Sequence, residues 1–249
     1  MEAPYVRTDT RGGVATVEFG TPAHNSLPGE QLAQLAAAFD AVGADDAVRV
    51  VVLRSHGDRT FCAGASFDEL RAVTDEASGL AFFSGFARVI NAMRRCPKFV
   101  IGRAQGKAVG GGVGLLSACD LAYATRFAAV KLSELAIGIG PFVIGPAVER
   151  RTGKAAFSDM ALRADEWFGA AYAKTHGLYT EVFDDADALD AAVLAKAETL
   201  AGYHVEAMAE LKRVLWAGTE HWDELLRERA AVSGRLVTRA WTRAKLGEL

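Results

Sequence analysis

The chain has 249 residues, of which 51% are hydrophobic. That is room for one large domain or two small ones around a sizeable core. A net charge of −3 with no long basic run argues against nucleic acid or an acidic membrane surface as a partner. The sequence holds no run of eighteen uninterrupted apolar residues, so no bilayer span is expected, and residues 1–5 lack a signal-peptide pattern. Cys62, Cys96 and Cys119 form no C-x-x-C and read as inert core fillers in a reducing compartment, expected to be the cytoplasm.

Residues 6–19 read as a hairpin, with Gly12-Gly13 at the turn and Val14, Thr16 and Glu18 alternating with Ala15, Val17 and Phe19. Pro28 opens a helix carrying Leu32, Leu35, Ala36, Phe39 and Val42 at helical spacing. The β-branched run 48–53 suits a strand buried on both faces, and 54–68 is a polar, glycine-bearing loop. A helix over 76–95 carries Phe82, Phe83, Phe86, Val89, Ile90 and Met93 and stops before Pro97. A strand at 99–101 then leads into the segment 105–120, where Gly110, Gly111, Gly112 and Gly114 crowd into five positions before a helix over 112–118.

A strand at 121–124 and a loop at 131–141 lead to a helix that starts after Pro141 and holds Glu149, Arg150 and Arg151 near its end. Beyond residue 155 the pattern is helical, at 155–161, 165–175, 186–202, 205–217 and 220–245. The exception is 178–183, and Gly177 is placed as a cap. Alternating β and α followed by helices predicts an α/β core with a helical C-terminal part. Strand, glycine loop and helix recur at 48–70, 99–118 and 121–150, which suggests stacked strand–helix turns.

Several chemistries are excluded by spacing. G-x-G-x-x-G fails at Leu115 and again at Val143, no P-loop or G-x-S-x-G is present, and the five histidines are too scattered for a metal site. Bare backbone at 110–114 permits dihedrals closed to side chains and gives access to unpaired N–H groups at the positive end of a helix. Taken alone, those glycines fit either half of an anion-stabilising pocket or a tight turn without a ligand.

Two segments together narrow this. Phe61-Cys62-Ala63-Gly64-Ala65-Ser66-Phe67-Asp68-Glu69-Leu70 resembles the first oxyanion-hole loop of the crotonase (enoyl-CoA hydratase/isomerase) superfamily, and Gln105-Gly106-Lys107-Ala108-Val109-Gly110-Gly111-Gly112 resembles its second. Cys119-Asp120-Leu121-Ala122-Tyr123-Ala124, the Asn25-Ser26-Leu27 loop and residues 131–138 extend the likeness over roughly residues 5–240. The resemblance implies an α/β fold, a crotonase-like spiral of repeated ββα units, with a spiral core over 1–190 and a helical C-terminal trimerisation region over 191–249. It also implies an acyl-CoA thioester substrate whose oxygen is held by the N–H groups of Ala65 and Gly111. Asn25, Ala63, Phe67, Gly110 and Phe142 would surround substrate and CoA. Coenzyme A enters as part of the substrate, so no separate cofactor or metal is expected. The assembly implied is a homotrimer or a dimer of trimers. Arg54, Arg71 and Lys212 are candidates for the CoA phosphates.

The chain departs from the hydratases it resembles. They place two glutamates over the substrate; the first position is Gly114 here, and the second is Glu134. One carboxylate suits transfer of a proton from C2 to C4 of a 3-enoyl thioester. Phe82, Phe83, Phe86, Phe142 and Ile144 are expected to surround Glu134 and raise its pKa by desolvation. An aspartate that related hydrolases carry close to position 142 is Phe142 here, which disfavours hydrolysis. Two alternatives to isomerisation remain: hydration of a 2-enoyl-CoA, with Asp68 or Glu69 as a possible missing acid, and a catalytically weak CoA-binding member. For Asp68 and Glu69 the competing reading is a salt-bridging pair at a helix start.

Overall fold

Gly12 and Gly13, at φ +56° and +80°, reverse the chain between antiparallel strands β1 (Tyr5–Arg11) and β2 (Val14–Gly20). The computed structural model describes residues 3–248. After α1 (Gly29–Ala44) the chain repeats one motif three times. The first copy is β3 (Val50–Ser55), β4 (Thr60–Cys62), α2 (Phe67–Ala72) and α3 (Glu76–Arg95). The second is β5 (Phe99–Ala104), β6 (Lys107–Val109) and α4 (Gly111–Ala118). The third is β7 (Leu121–Thr125), β8 (Val130–Lys131), a 3₁₀ turn at Leu135–Ile137 and α5 (Gly145–Leu162). The first strand of each copy joins a six-stranded sheet; the second joins a three-stranded sheet ordered β4-β6-β8. The chain continues through α6 (Ala170–Thr175), β9 (Glu181–Phe183), α7 (Ala186–Ala201), α8 (Val205–Leu215), α9 (Trp222–Val237) and α10 (Ala240–Gly247). β9 completes the large sheet, ordered β1-β2-β3-β5-β7-β9 and parallel from β2 onward. This is the predicted spiral of ββα units.

The β-branched run of β3 is buried on both faces for an identifiable reason. Val51 and Leu53 point into the main core, whereas Val50 and Val52 pack with Leu189, Val193 and Ala197 of α7 on the opposite side of the sheet. Full burial of such side chains stabilises by about 1.5–3 kcal/mol each. Helix α3 is entered through a capping box in which Asp75 Oδ1 accepts from Ser78 N at 2.7 Å. It buries Phe86, Val89, Ile90 and Met93 and runs against α9, where Gly79 and Gly234 meet: a Cβ on Gly79 would lie 2.6 Å from Gly234 Cα. Trp222, Leu226 and Ala230 of α9 belong to the same core as the sheet. Asp120 ties α8 to that core, its carboxylate accepting from Val100 N (2.7 Å), Lys212 Nζ (2.6 Å) and Trp216 Nε1 (2.8 Å).

The elements differ from the sequence expectation in identifiable places. The predicted loop 54–68 contains β4 and the start of α2, and 131–141 holds part of β8 and the 3₁₀ turn. The helix predicted over 165–175 is shorter, at 170–175, and that over 220–245 breaks between α9 and α10. Gly153, at φ +78°, interrupts α5 and separates the two helices read on either side of it. Among the described residues no helix is long and apolar enough to cross a membrane.

Candidate active site

Two loops from the small sheet converge. After β4 the chain turns at Gly64 (φ +91°), and Leu27 brackets the next residue: Leu27 N donates to Gly64 O at 2.8 Å and Ser66 N to Leu27 O at 3.3 Å. That parallel bridge turns the Ala65 N–H away from Leu27, and it finds no protein acceptor among the described residues. After β6, Gly110 (φ +51°) caps α4 and donates to Lys131 O at 2.9 Å, while Gly111, the first residue of α4, donates its N–H to no protein acceptor among the described residues. The loops abut closely. A Cβ on Gly64 would lie 3.8 Å from Gly111 N, and one on Gly112 would lie 2.6 Å from Cys62 O. Glycine at 112 is thus a packing necessity.

Ala63, Ala65, Gly110 and Gly111 form one wall of a cavity of about 100 Å³, and Glu134 stands on another. Glu134 leads into the 3₁₀ turn but makes no capping bond with its side chain. Its Oε1 lies at Gly110, and its Oε2 is enclosed with no hydrogen-bond partner among the described residues. Burial among Phe82, Phe83, Phe86, Phe142 and Ile144, all lining the same cavity, pushes the carboxyl up to about 7. A carboxyl poised there both accepts and returns protons near neutral pH. The Glu134 loop is held by Ile139 N donating to Glu134 O (3.0 Å). Thr242 Oγ1 of α10 also donates to Gly138 O (3.3 Å), where Gly138 is at φ +79°.

Of the residues singled out from sequence, Ala63, Ala65, Phe67, Gly110, Gly111, Glu134 and Phe142 meet in this cavity. Asn25 does not. Its amide donates to His56 O and Thr60 O at 2.8 Å each and its Oδ1 accepts from Thr21 N at 3.2 Å, so the side chain is spent on joining two loops. Asn25 itself is at φ +58°, a left-handed conformation that asparagine tolerates better than most residues. Asp68 is exposed and faces Arg71 at 3.8 Å, while Glu69 Oε2 accepts from Gly29 N at 2.8 Å at the start of α1. Neither supplies a second acid to the cavity. Arg54 is paired with Glu18 at 3.1 Å, and Lys212 is buried against Asp120; neither is free for a phosphate. Arg71 remains on the surface beside Arg243. Cys62 and Cys119 are buried, with thiols pushed up to about 12 by desolvation, and are inert.

Sequence reasoning missed Leu70, Ser133, Ile137, Ile139 and Ser233 on the cavity wall. Ser233 arrives on α9, far along the chain, through the Gly79–Gly234 contact beside it. The only signal was a glycine at 234 in an otherwise regular helix.

A model of the enoyl-CoA hydratase/isomerase family matches residues 9–238. The chain belongs to that family. It is similar to a peroxisomal Delta(3,5)-Delta(2,4)-dienoyl-CoA isomerase of Arabidopsis thaliana, 27% identical over 231 residues, 86% of this chain and 81% of that one. It is also similar to a mitochondrial methylglutaconyl-CoA hydratase of Rattus norvegicus, 37% identical over 117 residues, 47% of this chain and 37% of that protein. Among solved structures, an enoyl-CoA hydratase of Mycobacterium smegmatis superposes with a TM-score of 0.81 at 32% identity, covering 86% of this chain and 83% of that one. The crotonase fold and the membership read from the two glycine loops both hold, and the chain is an enzyme of that family.

Proposed function

We propose that this enzyme moves a double bond within an acyl-CoA, converting a 3-enoyl thioester to the conjugated 2-enoyl thioester. Glu134 carboxylate takes a proton from C2, and the C–H electron pair moves into C1=C2 as charge passes to the thioester oxygen. The N–H groups of Ala65 and Gly111 hold that oxygen. The protonated Glu134 then returns its proton at C4, the C2=C3 bond forms, and the carbonyl is restored. Donors aimed where charge develops are worth about 3–4 kcal/mol each in comparable sites.

One observation carries the reading: among the described residues Glu134 is the sole carboxyl on a mostly apolar cavity wall, which it shares with two unpaired amides and the hydroxyls of Ser133 and Ser233. The names of relatives pull both ways, since they include an isomerase and hydratases. Hydration of a 2-enoyl-CoA is therefore the second reading. Leu211, Val214 and Leu215 leave an apolar face of α8 exposed, which favours the homotrimer or dimer of trimers. The three unpaired cysteines favour a reducing compartment such as the cytoplasm.

An absorbance assay with 3-hexenoyl-CoA and with crotonyl-CoA decides between the readings. Formation of conjugated thioester from the first, lost in Glu134→Gln with thioester affinity retained, supports isomerisation. Dominant hydration of the second refutes it. Calorimetric binding of a CoA thioester with no turnover of either would make the chain a binding member of its family.

A further inference from the structure

Ser233 is 1% exposed, lies on the cavity wall, and its hydroxyl is bonded to none of the described residues. A serine inside a helix commonly turns its hydroxyl back to the carbonyl four residues earlier. Ser84 does so, donating to Leu80 O at 2.6 Å, and Ser117 donates to Val113 O at 2.8 Å. Ser233 makes no such bond, and its Oγ is not sealed off as Glu134 Oε2 is, so it opens on the cavity. Helices α3 and α9 run antiparallel, with Arg94 paired to Asp223 at one end and Gly79 against Gly234 at the other. The hydroxyl therefore enters near Gly79, whereas the Phe86 ring packs at Gly111. Seven residues separate Gly79 from Phe86, about 10 Å along the helix. Ser233 thus stands well away from the Gly111 amide, in the stretch lined by Leu70, Phe82, Phe83 and Ile139, which cluster with Val237 one turn further along α9.

We infer that Ser233 selects the acyl group: the thioester this enzyme takes carries an uncharged oxygen substituent, a hydroxyl or a carbonyl, toward the end of its acyl chain, and the Ser233 hydroxyl hydrogen-bonds to it. This rests on the reading above for the thioester in this cavity and names the substrate class of that same site. A hydroxyl both donates and accepts, so it matches either oxygen group. A plain hydrocarbon chain filling the cavity would cover Ser233 Oγ and leave a buried polar group unpaired. A carboxylate is disfavoured by charge. No lysine, arginine or histidine lines the cavity among the described residues, so a carboxylate at the chain end would be buried without a counter-charge. Ser133, the other hydroxyl on the wall, precedes Glu134 directly and is only half-buried, which places it at the reacting end.

The test pairs 6-hydroxy-3-hexenoyl-CoA with 3-heptenoyl-CoA, and 8-hydroxy-3-octenoyl-CoA with 3-nonenoyl-CoA. Within each pair a methyl group stands in place of the hydroxyl. The readouts are kcat/KM for isomerisation, calorimetric affinity and thermal midpoint, in wild type, Ser233→Ala and Ser133→Ala. Wild type is expected to favour the hydroxylated member of at least one pair by about tenfold, the scale of one buried hydrogen bond. Ser233→Ala is expected to erase that preference and Ser133→Ala to keep it. The midpoint of Ser233→Ala should equal or exceed that of wild type, because no protein hydrogen bond is lost and alanine is the better helix former. A preference below about twofold in both pairs, or one that survives Ser233→Ala, overturns the inference while the isomerase reading stands. So does a midpoint lowered by about 5 °C or more, which would make the hydroxyl structural. Tighter binding of 3-hexenedioyl-CoA, which ends in a carboxylate, than of the hydroxylated thioesters overturns the uncharged class. If no thioester is isomerised, the isomerase reading falls, and the affinity ratios within the pairs decide the role of Ser233 by the same limits.

Discussion

Glu134 Oε1 lies 2.9 Å from the point a Cβ on Gly110 would occupy. The candidate acid–base group therefore rests on bare backbone at the entry to α4, in the same cavity as the unpaired N–H of Gly111. A side chain at 110 would push the carboxyl out of place, and the φ of +51° there disfavours one independently.

The first prediction concerns pH. Burial raises the Glu134 carboxyl from 4.5 to about 7. A raised folded-state pKa means the fold holds the proton more tightly than the unfolded chain does. Stability from this group is therefore full below pH 4.5 and falls as pH rises through about 7. Glu134→Gln removes the loss and should gain up to about 3 kcal/mol at pH 8, with no gain at pH 4, measured by urea unfolding. In wild type the same ionisation should make kcat/KM for isomerisation half-maximal near pH 7.

A second prediction tests the bare backbone at 111. A Cβ there would run into the Phe86 ring, with Cε2 at 2.6 Å, so alanine must displace either the ring or the amide. Gly111→Ala should lower kcat by about 10²–10³-fold, the effect of losing one such donor. Circular dichroism should show the fold retained. Unaltered kcat would remove Gly111 from the thioester site.

Asn25 gives a third prediction, because its two possible roles separate cleanly. Asn25→Ala breaks three hydrogen bonds and places alanine at φ +58°. Stability should fall by about 2–4 kcal/mol, with KM for the thioester unchanged at a temperature where the variant is folded. A large rise in KM with stability intact would return Asn25 to the CoA site.

The two glycine loops that converge on the cavity, and Glu134 beside them, were legible through the likeness of their segments to a known family, since the glycines alone fit a tight turn equally well. The hairpin, α1, α3 and the buried strand β3 were legible from periodicity. The strands β4, β6 and β8 were not, since two or three residues show no period. The roles of Asn25 and Lys212 were also hidden. Their partners at Thr21, His56, Thr60 and Asp120 come together only when the spiral closes. Ile144 was read as one apolar neighbour of Glu134; its contact with Gly114 is a feature of three dimensions.

Lys212 supplies a fourth prediction. With Asp120 it forms a buried pair at 2.6 Å, so Lys212→Met leaves an uncompensated carboxylate. That should cost about 3–5 kcal/mol, and adding Asp120→Asn should restore part of it. CoA affinity should not change in either variant, as read by calorimetry on the folded protein.

The most direct test of the central claim follows one atom. 3-Hexenoyl-CoA carrying deuterium at C2 is converted by the enzyme in ordinary water, and the 2-hexenoyl product is examined by NMR for label at C4. A single carboxyl with one oxygen shut off from solvent should deliver a measurable share of the deuterium to C4. Product bearing only solvent hydrogen at C4, or a 3-hydroxyacyl-CoA as the main product, would contradict the one-carboxylate account.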